Sequence, residues 1–169
     1  CKANTTVSVT QPTTLSVSFA SQVNVSCKGA NNGSVTEVPS GGTAGYTYSW
    51  SPGTGTTITP SGLGPFNFTL TIKDATTCIA TNTLTITEPT LLTASIVKTN
   101  ETCNYLNNGT ATVTAAGGTA GYTYLWAHNS ATTTSVSGLS AGTYSVTTTD
   151  AKGCKTTKTA VISQPAALT

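Results

Sequence analysis

Hydrophobic and polar residues alternate along much of this chain with the two-residue period of a pleated strand. Leu15, Val17 and Phe19 fall on one face of such a run, as do Leu92, Ala94 and Ile96. Tyr46, Tyr48 and Trp50 share a face, with Thr47 and Ser49 opposite, and Tyr122, Tyr124 and Trp126 repeat the arrangement. Phe66, Phe68, Leu70 and Ile72 form a further row, which Tyr144 and Val146 reproduce in part; Leu84 and Ile86 make a short one. Between the runs stand Asn-Gly, Gly-Gly, Pro-Gly and Lys-Gly, all turn-forming pairs. Gly33 and Gly109 are expected in tight hairpin turns after Asn32 and Asn108, with a positive φ. Gly41-Gly42 and Gly117-Gly118 are expected to bend the chain ahead of the Tyr/Trp strands. Six or seven short strands per repeat predict an all-β fold of tandem, immunoglobulin-like β-sandwich domains.

The pattern occurs twice. "GGTAGYTYSW" at 41–50 returns as "GGTAGYTYLW" at 117–126, with one difference, Ser49 against Leu125. Cys27 to Cys78 and Cys103 to Cys154 each span 51 residues, and Cys27 to Cys103 spans 76. Cys1 to Cys78 spans 77. Gln11-Pro12, Glu88-Pro89 and Gln164-Pro165 each follow a cysteine by ten residues. A period near 76 suits a small independent domain better than a solenoid turn. The predicted organisation is a first repeat at 13–89 and a second at 90–166. Residues 1–12 match the last strand of a preceding repeat, and 167–169 the start of a following one.

Composition narrows the class. Threonine supplies 40 of 169 residues, and its β-branched side chain suits strands. Charged residues are only 7% of the chain, with a net charge of +2 and no Arg. That field is too weak and too dispersed for nucleic acid. No apolar run is long enough to insert in a bilayer as a helix.

Each repeat runs as a Cys, Asn-Asn-Gly, Gly-Gly-x-x-x-Tyr-x-Tyr-x-Trp, a Gly-Leu turn, an aromatic strand, Asp-x-x-x-Cys and Gln/Glu-Pro. This resembles the SprB-type repeat of large surface adhesins in gliding Bacteroidetes, and is more distantly similar to PKD and other immunoglobulin-like modules. "GLSAGTYSVTTTDAKGC" fits the pattern closely; "GLGPFNFTLTIKDATTC" departs from it in the turn. The resemblance implies a secreted or cell-surface protein, exported by the type IX route, that works as a stalk, filament or adhesin. It implies no catalytic residues and no cofactor.

In an exported protein, evenly repeated cysteines read as disulfides. Pairing within repeats, Cys27–Cys78 and Cys103–Cys154, is favoured and leaves Cys1 unpaired. Two alternatives stay open: Cys1–Cys27 with Cys78–Cys103, or an early cysteine of one domain with a late cysteine of the next. Metal ligation is disfavoured, because the cysteine spacing is long and His128 is the lone histidine. Asp74 and Asp150 are expected to set the turn before the late cysteine by accepting backbone N–H bonds. A calcium site would need six to eight oxygens, and Glu37, Asp74 and Glu88, or Glu101 and Asp150, are too few. Trp50 and Trp126 are expected in the core rather than against a sugar. So are Tyr46, Tyr48, Phe68, Leu70, Tyr122, Tyr124, Tyr144 and Val146.

The function these readings favour is structural: a non-catalytic segment of an extracellular filament, stalk or adhesin. Its partners are neighbouring repeats, and other copies through lateral contact or strand addition by residues 1–12. The alternative is a module that grips polysaccharide or another surface.

Overall fold

The computed structural model describes residues 1–53 and 55–167. The expected start of a following repeat at 167–169 therefore lies, except for Ala167, outside the described residues. Among these residues there are twelve strands and no helix. The chain forms two units. Unit 1 comprises Cys1–Val25 and Asn31–Thr87; unit 2 takes Ser26–Ala30 together with the chain from Glu88 onward.

Unit 1 is built from β1 (Ser16–Val23), β2 (Gly33–Ser40), β3 (Thr47–Ser51), β4 (Ser61–Leu63), β5 (Asn67–Lys73) and β6 (Ile79–Thr85). Two antiparallel three-stranded sheets result, in the orders β1-β2-β4 and β3-β5-β6. Unit 2 repeats the plan with β7 (Thr93–Thr99), β8 (Gly109–Ala116), β9 (Thr123–Trp126), β10 (Ser135–Leu139), β11 (Gly142–Thr149) and β12 (Lys155–Ile162). Its sheets run β7-β8-β10 and β9-β11-β12. Each unit is thus a small β-sandwich of six strands.

The central strand of the second sheet shows why the alternation matters. Phe68, Leu70 and Ile72 of β5 are buried, while Asn67 and Lys73 at its ends are exposed. Trp50 stands opposite Leu70 in register, and Trp126 stands opposite Val146 in unit 2. Both indoles are buried, and each closes its polar end by donating Nε1–H to a loop carbonyl, Thr57 at 3.1 Å and Thr133 at 2.9 Å. Burying a side chain of this size contributes about 3 kcal/mol. The tyrosines are less deep than expected. Tyr46, Tyr48, Tyr122, Tyr124 and Tyr144 are only half-buried. Tyr46, Tyr122 and Tyr144 use that position to bond their hydroxyls to backbone carbonyls, of Gly41, Gly117 and Ser140.

A register change in β1 explains why the period is 77 residues at one landmark and 76 at another. β1 and β2 pair regularly up to Phe19, then slip by one residue before Ser21. β7 pairs with β8 without such a slip. The extra residue of the first repeat is therefore absorbed as a β-bulge at Ala20.

Gly33 and Gly109 correct an expectation. Neither lies in a tight hairpin turn or has a positive φ; each opens a strand, β2 or β8, and is buried. A Cβ on Gly33 would come within 2.9 Å of both the Ile86 side chain and the Leu63 carbonyl, and one on Gly109 within 2.7 Å of Ile162. Glycine is needed there for close approach of neighbouring strands rather than for turn geometry.

Candidate functional site

The ten-residue phrase and the Asp-to-Cys phrase meet in space, and their meeting is the most elaborate polar structure in each unit. In unit 1, Gly41 and Gly42 take positive φ values of 71° and 63° at the end of β2. Asp74 follows β5 and is buried. Its Oδ1 accepts the N–H groups of Thr76 at 2.9 Å and Cys78 at 2.8 Å, as well as the Thr76 hydroxyl at 2.9 Å. Its Oδ2 accepts the Thr43 N–H at 2.9 Å, which ties the β5–β6 turn to the Gly-Gly turn. Asp150 does the same in unit 2, with Lys152 and Cys154 on Oδ1 at 2.9 Å each and Thr119 on Oδ2 at 2.8 Å. A Cβ on Gly42 or Gly118 would sit 2.7 or 2.5 Å from that Oδ2, so only glycine admits the carboxylate. Tyr46 and Tyr122 finish the clasp by donating their hydroxyls to the carbonyls of Gly41 and Gly117, at 2.6 and 2.7 Å.

These bonds act on the charged form. The Thr43 N–H, the largest influence, holds Asp74 below the usual carboxylate range against the opposing effect of burial, and Thr119 does so for Asp150. The arrangement positions backbone; it offers no free acid and no base to a substrate. His128 is exposed and rests edge-on against Tyr144, with centroids 4.9 Å apart. Among the described residues no three His, Cys, Asp or Glu side chains converge as a metal would need.

The clasp presents the late cysteine of each repeat on its outer side, and here the structure corrects the sequence reading. Cys27 is joined to Cys154, with Cα atoms 5.7 Å apart. Cys78 and Cys103 are free and exposed, as is Cys1. The favoured pairs Cys27–Cys78 and Cys103–Cys154 do not form; the observed bond is the early-to-late alternative. Topology gives the reason. The end of β1 lies beside the end of β6, since Val25 N–H bonds the Thr87 carbonyl at 3.2 Å. Cys78 stands before the start of β6, a strand of 7 residues and so about 23 Å away, far beyond disulfide reach. Unit 2 is built likewise, with Glu101 N–H on the Ser163 carbonyl at 3.0 Å. The 51-residue spacing could have revealed this only with the strand order already in hand.

The segment carrying Cys27 is fixed at its base. Lys28 is ion-paired with Glu88, and the Gly29 N–H bonds the second carboxylate oxygen of Glu88 at 2.8 Å. Those two interactions hold Glu88 below its usual range, the Lys28 bond first.

The family model of the SprB repeat matches residues 20–55 and 95–132. Two stretches of this chain, one in each repeat, are thus similar to the SprB repeat. The matched stretches run from the middle of β1 and β7 through the Gly-Gly turn and the Trp strand. SprB repeats are structural modules of cell-surface, adhesin-like proteins, and the two matches support a repeat segment of that kind. No curated protein matches it.

Proposed function

We propose that this chain is a non-catalytic, force-transmitting segment of an extracellular filament, stalk or adhesin on a bacterial surface. The observation that carries the reading is the placement of Ser26–Ala30. This stretch of the first repeat belongs to unit 2, where it is held covalently by Cys154 and ionically by Glu88. A repeat that lends part of itself to the next domain suits a continuous array better than a string of independent binders. The proline of each Gln/Glu-Pro link fixes φ and removes a donor where the chain passes between modules. Residues 1–12 support strand addition. Val7 and Val9 are exposed at positions that correspond to Leu84 and Ile86, both buried in unit 1. A polysaccharide-binding reading draws no support from Trp50 and Trp126, whose ring faces are inside.

Small-angle scattering on natural polypeptides of increasing repeat number tests the proposal. The longest dimension is expected to grow in proportion to the number of repeats. Growth with its square root, the scaling of a freely jointed chain, would refute it.

A further inference from the structure

A pull on the two ends of this chain would follow the shortest covalent route between them, and that route is not the backbone. Cys27 and Cys154 are joined across a separation of 127 residues. Ten of the twelve strands, β2 to β11, lie between them. Among the described residues only β1 precedes the bond and only β12 follows it. Both buried indoles, both Gly-Gly turns and both clasp aspartates are inside the closed loop. Tension therefore enters along β1, crosses from sulfur to sulfur and leaves along β12. Residues 28–153 are off the route. Bonds within each repeat would act differently. They would leave β6 and β7, which lie between Cys78 and Cys103, carrying the full load.

The pieces left on the route have almost no slack. β1 and β12 are strands of 8 residues each, and tension acts on both ends of the same strand. A strand rises about 3.2–3.4 Å per residue against a limit of about 3.3–3.6 Å, so straightening it further yields only a few ångströms. The couplings to the bond are short as well. Cys154 stands directly before Lys155, the first residue of β12. Its N–H is held on Asp150 Oδ1 at 2.9 Å, and its carbonyl accepts the Asp150 N–H at 3.0 Å. Residues 24–26 connect β1 to Cys27, and they too are pinned. Asn24 Oδ1 accepts the Thr87 N–H at 3.0 Å, and buried Val25 donates its N–H to the Thr87 carbonyl at 3.2 Å. The enclosed loop is the opposite case. Residues 28–153 would span roughly 430 Å if drawn out, and the bond holds their ends at a Cα separation of 5.7 Å.

We infer that the Cys27–Cys154 bond is a tension bypass: it carries load past the ten enclosed strands, and load reaches them only after the bond is reduced. The device is a redox gate on extension. A low-molecular-weight thiol is the reductant, and both cysteines are half-buried rather than sealed from it. Its thiolate attacks one sulfur and expels the other cysteine as a thiolate; a second thiolate then attacks the mixed disulfide and frees the first cysteine. Cys27 and Cys154 together gain two electrons and two protons, and two reductant thiols become one disulfide. The inference rests on the force-transmitting reading above and names the covalent link through which the force passes.

The whole chain, tethered by peptide tags at its two ends, would be pulled in optical tweezers, first oxidised and then with dithiothreitol added to the same tether. Before reduction the release of hidden length should stay below about 40 Å, because the loaded strands are already extended. After reduction it should rise about ten-fold, to roughly 430 Å. A triple variant, C1S/C78S/C103S, keeps only the two bonded cysteines and should match the parent in both states. C27S/C154S should release the longer length with no thiol present. If that variant does not fold, the comparison on one parent tether before and after dithiothreitol decides alone. Release of several hundred ångströms before any thiol is added, a release that dithiothreitol leaves unchanged, or peptide mapping of the oxidised chain that finds Cys27 and Cys154 apart would overturn the inference. The two readings fail separately. Square-root growth in scattering beside a ten-fold thiol effect strikes the filament and leaves the bypass; proportional growth with no thiol effect strikes the bypass and leaves the filament.

Discussion

Unit 1 buries Glu37 where unit 2 buries Val113, and unit 2 buries Glu101 where unit 1 buries Val25. Neither glutamate has a well-formed hydrogen bond to either carboxylate oxygen; the Glu37 carboxylate is approached only by its own backbone N–H, outside good geometry. Burial pushes the Glu37 carboxyl above its usual range, against a smaller pull from its own backbone N–H. A third exchange places Thr148, with an unpartnered hydroxyl, where β5 has Ile72. The register of the second sheet, the clasp and the Trp anchor are nonetheless the same in both units. The shared frame therefore tolerates one unpaired buried carboxyl per unit, at a cost of about 1–3 kcal/mol each, provided the clasp and the central strand remain intact. The two units do not place it at the same site.

The largest difference between the units is covalent, because only unit 2 holds the disulfide. Single-tryptophan reporters, Trp126 in a Trp50→Phe background and the converse, allow each unit to be followed alone. Reducing Cys27–Cys154, or replacing both with Ser, should destabilise unit 2 by up to about 5 kcal/mol in the loop-entropy model. Unit 1 should change far less. An equal loss at both reporters in denaturant titrations would show that the bond does not belong to unit 2 in any energetic sense.

Exchanging the buried carboxyls comes next in size. Glu37→Val should stabilise unit 1 by about 1–3 kcal/mol, since it removes an unsatisfied group and restores the residue that unit 2 uses. Val113→Glu should destabilise unit 2 by about 3 kcal/mol for the converse reason. If E37V is neutral or destabilising, the carboxylate has a partner or a role that the side-chain geometry does not display.

Much of this was legible from the letters, and the rest was hidden for identifiable reasons. Alternation in "FNFTLTIK" and in the Tyr-x-Tyr-x-Trp runs specifies strands, because the period of 2 is unambiguous once one face is apolar. The role of Asp74 and Asp150 follows from turn chemistry. Their second bond, back to Thr43 and Thr119, does not, because it joins residues 31 apart that only the strand order brings together. The same limit applies to Cys27 and Cys154, separated by 127 residues. Gly33 and Gly109 misled because Asn-Gly is read locally as a turn, whereas here the neighbouring strands decide. Glu37 and Glu101 gave no warning at all. A single charged letter in an alternating run normally marks the outer face, and only the structure shows that Glu37 of β2 is buried; Glu101 stands beyond the end of β7, where no alternation foretells its burial.

Acid should separate the units by a smaller amount, through opposite linkage. The Glu37 pKa is raised in the folded state, so the native unit holds its proton more tightly than the unfolded chain. Its contribution is present below the unfolded value of about 4.5 and declines as pH rises through the folded value. Asp74 and Asp150 are lowered, so their contributions are complete above about 3.8 and are lost as pH falls through the folded values. Taking the protein from neutral pH toward 4.5 should raise the melting temperature of unit 1 relative to unit 2, by a few degrees at most. E37V should abolish that relative gain while leaving the shared loss below 3.8. A gain that survives E37V would assign it to some other group.

The smallest expected effect concerns the single letter that distinguishes the two ten-residue phrases. Ser49 and Leu125 lie on the outward face of β3 and β9, the edge strands of their sheets, and Leu125 is 52% exposed. Leu125 stands opposite Thr147, a polar neighbour, so it gains little inside its own unit. Leu125→Ser should therefore change the stability of unit 2 by no more than about 0.5 kcal/mol. An exposed leucine on an edge strand is, however, a natural contact for a neighbouring molecule. Sedimentation of the reduced protein at high concentration should show weaker lateral self-association for L125S, and Ser49→Leu should strengthen it. If both variants sediment like the parent, the difference between the phrases is neutral, and any lateral contact would have to use other exposed apolar residues, such as Val97 and Val161.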